Sequence, residues 1–298
     1  MKRILLFALC VSTILFACCS KDEEDVAPMP PRLSKSDSLI LVKLYESIGP
    51  WGRIWDLKDI STWSNFQVFL DSAANEYRVC TLEIYNGKCR GTLPKEICNL
   101  TELRILAIFG GTMEGEIPED IGRLKHLIAL RFGYNNMSGH IPVSIGELTN
   151  LTRLDIVRTN IGDTIPESIG NLTEALRMDL YDNQLTGNFP KSLKNLKKLM
   201  VIDLENNHLS GTFPIEVLTG SNPCYINLVN NDITELPFEV WDDAFVANEP
   251  PVLVKNRLSG HVPEWVLKTK KWQKLGQCCT DDQKEGYGYD VWKNRKLQ

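Results

Sequence analysis

Residues 127–148 read LIALRFGYNNMSGHIPVSIGEL. Apolar side chains fall at Leu127, Leu130, Phe132, Met137, Ile141, Ile145 and Leu148, with Asn135 between the first three and the last four. Gly139, Pro142 and Gly146 punctuate the second half. In Leu130-Arg131-Phe132 alternate residues face opposite sides, as in a strand. Leu130 and Phe132 turn inward, while Arg131, Gly133 and Tyr134 look out. Pro142 cannot donate to an inner ladder, so the Ile141-Pro142 half turns the chain back.

A shift of 24 residues in either direction returns the same template. Leu103, Leu106, Ile108, Met113, Ile117, Ile121 and Leu124 form the preceding copy; Leu151, Leu154, Ile156, Ile161, Ile165, Ile169 and Leu172 form the next. A fixed period of this length marks a stacked repeat, in which each unit buries its apolar side only against its neighbours. The Asn position runs Gly87, Gly111, Asn135, Thr159, Asn183, Asn207, Asn231 and Asn256, eight turns in all. The steps are 24 as far as Asn231 and the last is 25, while Glu235-Leu236-Pro237 falls one residue short of the template. Degenerate last turns are expected where an array ends in a cap.

These turns resemble leucine-rich repeats of the plant-type subclass, with the template Leu-x-x-Leu-x-Leu-x-x-Asn-x-Leu-x-Gly-x-Ile-Pro-x-x-Ile-Gly-x-Leu. The resemblance covers Val79 to Leu267. It implies an α/β solenoid with a parallel β-sheet on one face, preceded by a helical, Trp-rich cap and closed by a second cap. Gly87, Gly111 and Thr159 depart from the Asn of the template, and Asp163 from its first Gly. Gly and Thr lack the amide that bonds neighbouring backbone, so the ladder is expected to be weaker in the N-terminal half.

The flanks divide the rest of the chain. Residues 1–17 have a basic start at Lys2 and Arg3 and an apolar core from Ile4 to Phe16, as in a signal peptide. They end Leu15-Phe16-Ala17-Cys18, which resembles a bacterial lipobox, with Cys18 as the lipidated residue and Cys19 as the alternative. The following Ser20-Lys21-Asp22-Glu23-Glu24-Asp25 resembles a surface-export tag of Gram-negative lipoproteins. Multiple acyl chains on one cysteine would anchor the chain durably, and the Pro-rich remainder of residues 18–34 would act as a spacer. These features place it at a bacterial outer membrane, facing outward, with the lipid as its sole membrane contact. Residues 35–78 read as the N-terminal cap. Ser36 or Asp37 caps a helix bearing Leu41, Leu44, Tyr45 and Ile48, which Gly49-Pro50 stops. Trp51, Trp55 and Trp63 follow; their large area suits covering an open repeat end better than stacking sugars. The repeat array is expected over residues 79–266 and an aromatic-rich C-terminal cap over residues 267–298.

A net charge of −5 with both signs interspersed points away from nucleic acid, which needs clustered cations. Cys89 occupies the apolar slot of Met113 and Met137 and reads as a buried small hydrophobe, although spacing leaves a disulfide among Cys80, Cys89 and Cys98 open. His126, His140, His208 and His261 occupy slots that pair none of them with a nucleophile. Asp155, Asp179 and Asp203 recur at about 5 Å, the spacing of a retaining glycosidase pair, but on an open strip that excludes no water. No enzyme activity, cofactor or metal is therefore expected; Cys278-Cys279 lacks zinc-ligand spacing.

Function is expected on the outward columns of the sheet. One column reads Glu83, Ala107, Arg131, Asp155, Asp179, Asp203, Asn227, Val252; the next Tyr85, Phe109, Gly133, Val157, Tyr181, Glu205, Val229, Val254; the third Asn86, Gly110, Tyr134, Arg158, Asp182, Asn206, Asn230, Lys255. Tyr85, Phe109 and Tyr134 should form an exposed aromatic patch beside Arg131, Arg153, Arg158 and Arg177, followed by Tyr181 and an acidic strip of Asp155, Asp179, Asp182, Asp203 and Glu205; these charges read either as a solvated face with Arg–Asp pairs offsetting one another or as a partner-binding patch. Aromatics and Arg are the types enriched where proteins bind one another. The expected partner is a protein, with a glycan or a purely structural role in an envelope complex as alternatives.

Overall fold

The computed structural model describes residues 32–49, 65–85, 88–214, 216, 224–236, 238–242, 251–280 and 282–289. Cys18, Cys19, the tryptophans at 51, 55 and 63, Asn86 and Gly87 lie outside the described residues.

The strand halves of successive turns pair into one sheet. Its strands are β1 (Arg32–Leu33), β2 (Phe66–Asp71), β3 (Glu76–Ile84), β4 (Ile105–Phe109), β5 (Ala129–Gly133), β6 (Arg153–Val157), β7 (Arg177–Asp179), β8 (Val201–Asp203) and β9 (Tyr225–Asn227). The order is β1-β3-β4-β5-β6-β7-β8-β9, parallel throughout, with β2 antiparallel on β3. Because the period is constant, the register is too: Glu83 sits opposite Ala107, then Arg131, Asp155, Asp179, Asp203 and Asn227 in turn. A bridge from Asn227 to Val252 carries this column one turn further.

The return halves are short 3₁₀ turns, among them Glu119–Arg123, Val143–Glu147 and Glu167–Asn171, each entered through a proline in extended conformation. Proline fixes the entry angle and surrenders a donor no inner ladder needs. Between the two halves lies the core. Leu127, Leu130, Phe132, Met137, Ile141, Ile145 and Leu148 are all enclosed, as the periodicity requires. Truncating one such side chain to alanine is expected to cost ~2–5 kcal/mol.

Inside that core the asparagines form a ladder. The Asn207 amide donates to the carbonyls of Leu180, Leu204 and Glu205, and its oxygen accepts the N–H of Leu185 from the preceding turn. Asn231 and Asn256 repeat the pattern. Towards the N-terminus it thins. Thr159 Oγ1 donates to Asn183 Oδ1 at 2.5 Å and accepts Ile161 N–H at a long 3.3 Å. Thr159 leaves Met137 N–H without the next turn's amide, so Asn135 turns to it instead, at 3.1 Å. At Gly111 the chain has φ +91° and runs so close to the preceding turn that a Cβ would fall 2.2 Å from Cys89 O. The backbone bond of this position, Thr112 N–H to Cys89 O at 2.8 Å, is kept, as it is at Asn136, Asn160 and Gln184, but no side-chain rung accompanies it.

Both ends are closed. Helix α1 (Lys35–Ile48) buries Ile40, Leu41, Leu44 and Ile48 and ends at Gly49, as expected. Its start differs: Ser34 is the N-cap, not Ser36 or Asp37. Asp37 is fully buried because it accepts Arg78 Nε at 3.0 Å and Val79 N–H at 2.8 Å, clasping α1 to β3. At the other end Trp241 and Trp272 meet edge to face at 5.1 Å. Gln283 serves as the final rung, accepting Leu258 N–H and donating to Leu253 O.

Candidate functional site

The outward columns come to lie side by side on the sheet face, as the repeat predicts. The third column has a feature not read from the sequence. Tyr134, Arg158, Asp182, Asn206, Asn230 and Lys255 all have φ between 52° and 56°, and Gly110 has φ 82°. Each strand must bend sharply at this point to deliver the next asparagine inward. Asn and Gly enter this left-handed region readily; Tyr134 and Arg158 do so at a cost of ~1 kcal/mol or more per residue. The bend is what lifts these two bulky side chains off the face.

They complete a stacked ladder. Tyr85 and Phe109 lie 5.6 Å apart between centroids with planes 27° apart, and Phe109 and Tyr134 lie 6.3 Å apart. Room for the Phe109 ring exists because its neighbour in the column is Gly133, where a Cβ would fall 2.8 Å from Phe109 Cε1. Arg131 covers Phe109 at 5.0 Å and Arg158 covers Tyr134 at 5.3 Å, as cation–π pairs. Tyr134 Oη and Tyr181 Oη meet at 3.4 Å across the intervening turn. Burial first, and this partner second, push the Tyr181 phenol well above its ordinary range. Tyr85 and Tyr134 remain about half exposed, at 52% and 47%.

The charges form a network rather than an open strip. Tyr85 Oη donates to Glu83 at 2.8 Å and receives Arg131 Nη1 at 3.0 Å. Arg131 Nε donates to Asp155 Oδ2 at 2.7 Å, and Arg153 Nε reaches both oxygens of the same carboxylate. Arg177 Nε holds Asp179 Oδ2 at 2.5 Å, and Arg158 holds Asp182 at 2.8 Å. The expectation of an exposed acidic strip is therefore corrected: Asp155 is 2% and Asp179 4% exposed. Both stand in their predicted column, but Arg side chains from two residues upstream, and from the preceding turn for Asp155, fold over them. Burial raises the Asp179 carboxyl above the ordinary carboxylate range, partly offset by Arg177. Asp155 is thus locked between two guanidiniums.

Asp203 and Glu205 differ. Asp203 Oδ1 accepts Glu205 N–H and Glu205 Oε2 accepts Asn227 Nδ2, but neither carboxylate is paired with Lys or Arg among the described residues. Beside them is apolar surface that sequence reading missed. Tyr225 is 51% exposed and Val201, its Cα partner, is half-buried; Met200, just before β8, is 46% exposed. The signal was present in the column that supplied Arg153 and Arg177, which continues to Val201 and Tyr225.

Of the histidines, His140 pairs with Glu119 at 3.0 Å and His208 approaches Asp232 at 3.6 Å. Cys80, Cys89 and Cys98 are free; Cys89 is buried as expected, its thiol pushed up to about 11 by burial. No group of three or more His, Cys, Asp or Glu among the described residues is placed to hold a metal ion.

Comparison with known proteins now bears on this geometry. The leucine-rich repeat region family matches residues 62–220, more than half of the chain. The chain belongs to that family. Among solved structures it is similar to a TDR receptor, with 27% identity over 63% of this chain and 31% of that one, TM-score 0.53. It is also similar to the leucine-rich repeat ectodomain of the Arabidopsis receptor kinase HAESA in complex with an N-terminally extended IDA peptide hormone. There identity is 31% over 58% of this chain and 29% of that one, TM-score 0.52. The repeat chain thus spans less than a third of either receptor structure. A plant ice-binding protein aligns over 80% of this chain and 84% of its own at TM-score 0.62, but at 22% identity, which bears on fold alone. No curated protein matches the chain.

Proposed function

We propose that this leucine-rich repeat protein is a non-catalytic surface lipoprotein, anchored at a bacterial outer membrane through Cys18 or Cys19, that binds a protein partner on the outward face of its sheet. The lipobox-like Leu15-Phe16-Ala17-Cys18 supports the anchor. The similar HAESA ectodomain carries a peptide hormone, which supports a polypeptide ligand for this scaffold.

The observation that carries the reading is the packing of Tyr85, Phe109 and Tyr134. A glycan-stacking platform needs an open ring face. Here Phe109 has Tyr85 on one flank, Tyr134 on the other and Arg131 above it. The ladder leaves about half of Tyr85 and of Tyr134 exposed, an aromatic surface flanked by arginines of the kind enriched where proteins meet.

The test is capture of protein partners from whole-cell surface extracts by the full chain and by Y85A/F109A/Y134A, with glycan-array binding measured in parallel. The reading expects a protein band that the triple variant loses while its circular dichroism is unchanged. Retained capture, or array binding that the triple variant abolishes without any protein ligand, contradicts it.

A further inference from the structure

The internal pairing of charges leaves a remainder, and it is localised. Arg131 and Arg153 are spent on Asp155, Arg177 on Asp179 and Arg158 on Asp182. Glu83 accepts the Tyr85 hydroxyl, which Arg131 reaches in turn; on the C-terminal turns, among the described residues, what is left without Lys or Arg lies on β8 and just after it, at Asp203 and Glu205. Next to Asp203 in the sheet register stands Asp179, rising from the same face. Arg177 takes one of its oxygens; the other, Oδ1, is buried and accepts no hydrogen bond. Three neighbouring carboxylates, Asp179, Asp203 and Glu205, thus share a single paired cation, Arg177, and that local excess of negative charge favours a cation from outside. The surroundings describe what carries that cation. Val201 and its Cα partner Tyr225 supply apolar surface on the same face, two residues before Asp203 and Asn227. A long aliphatic stem ending in a cation matches both parts.

We infer that the sheet face takes a Lys or Arg side chain of the partner, its stem along Val201 and Tyr225 and its charged head on Asp203 and Glu205, with Asp179 behind them. The inference rests on the sheet face being a protein-binding surface and adds a ruler to it. From the turn of Tyr134 to the turn of Asp203 is three strand spacings, about 14 Å, or roughly four residues of extended chain. The partner segment therefore presents an apolar or aromatic residue over the ladder and a basic residue about four positions away. Like charge is excluded by the same remainder, which repels an acidic segment.

The experiment uses the full chain and three synthetic peptides: acetyl-Phe-Ser-Gly-Ser-Lys-amide and the same peptide with norleucine or glutamate in place of lysine. Titration calorimetry at low salt is expected to show the lysine peptide binding about tenfold more tightly than the norleucine peptide, and the glutamate peptide weakest. In D203N/E205Q, whose amides keep the Glu205 N–H and Asn227 contacts satisfied, the lysine preference disappears and norleucine-peptide affinity is unchanged. In Y85A/F109A/Y134A both affinities fall but the lysine preference survives. Equal binding of lysine and norleucine peptides, a preference that persists in D203N/E205Q, or no lysine-peptide binding at millimolar concentration overturns the inference. If the lysine preference fails while the aromatic variant still loses norleucine-peptide binding, the aromatic site stands and only the cation subsite falls. The reverse result separates them in the other direction.

Discussion

The two halves of this solenoid are held together differently. From Asn183 to Asn256 each turn is stitched to the next by a buried amide that serves three carbonyls and one or more neighbouring turns. From Gly111 to Thr159 the stitching is partial: Gly111 has no side chain to offer and Thr159 only a hydroxyl. The outside reverses this. The N-terminal turns carry a connected layer of stacked rings and ion pairs from Glu83 through Tyr85, Arg131 and Asp155 to Arg153. The C-terminal turns leave Asp203 and Glu205 without Lys or Arg partners among the described residues. Internal rungs secure the half whose face is chemically incomplete, while surface side chains help to secure the half whose rungs are missing. A repeat fold tolerates this exchange because its stability is a sum over turns and the interfaces between them.

The contrast is broken most strongly by N207A. It leaves the Leu185 N–H and several carbonyls without partners in the core, and is expected to cost ~2–4 kcal/mol in urea denaturation. N135A removes only two longer bonds, to Gly133 O and from Met137 N–H, and should cost ~1 kcal/mol. Equal losses would remove the distinction between the halves. T159N sharpens the comparison in the other direction. It restores an amide that can accept Met137 N–H, and a gain of ~1 kcal/mol is expected by the same measurement.

A smaller effect tests the buried carboxylates. Burial raises both Asp179 and Asp203 above the ordinary aspartate value. The folded chain therefore holds their protons more tightly than the unfolded chain does. Their favourable contribution is fully present below the ordinary value and is lost as pH rises through the raised folded values. The difference in melting temperature between wild type and D179N should follow this direction: the variant gains on wild type as pH rises through that window. A constant difference across pH would contradict it. Smallest of all is Y134N. Asn accepts φ 56° readily, so relief of backbone strain offsets the lost ring contact, and stability should stay within ~0.5 kcal/mol of wild type while partner capture falls.

How far the sequence could be read follows from what repeats and what does not. The 24-residue step placed Glu83, Ala107, Arg131, Asp155, Asp179 and Asp203 in one column because strand register inherits the period. The aromatic ladder was legible for the same reason. Exposure was not. Whether Asp179 faces solvent depends on Arg177, a long side chain with several rotamers whose course no periodicity dictates. Nor was the left-handed third column recognised, although Gly110, Asn206 and Asn230 are residues suited to it. Helix α1 began earlier than expected because Asp37 is drawn into a tertiary pair with Arg78, which overrides its local capping tendency. Gln283 escaped notice because the last rung is out of step with the repeat and belongs to a different residue type.

The central claim is that one face of the solenoid, and not its back, meets the partner. Photo-crosslinking decides it. The amino acid p-benzoylphenylalanine is placed at Phe109 in the ladder or at Val143, an exposed residue on a return turn. The account predicts a covalent adduct with the captured protein from position 109 and none from position 143; adducts from position 143, with none from 109, would contradict it.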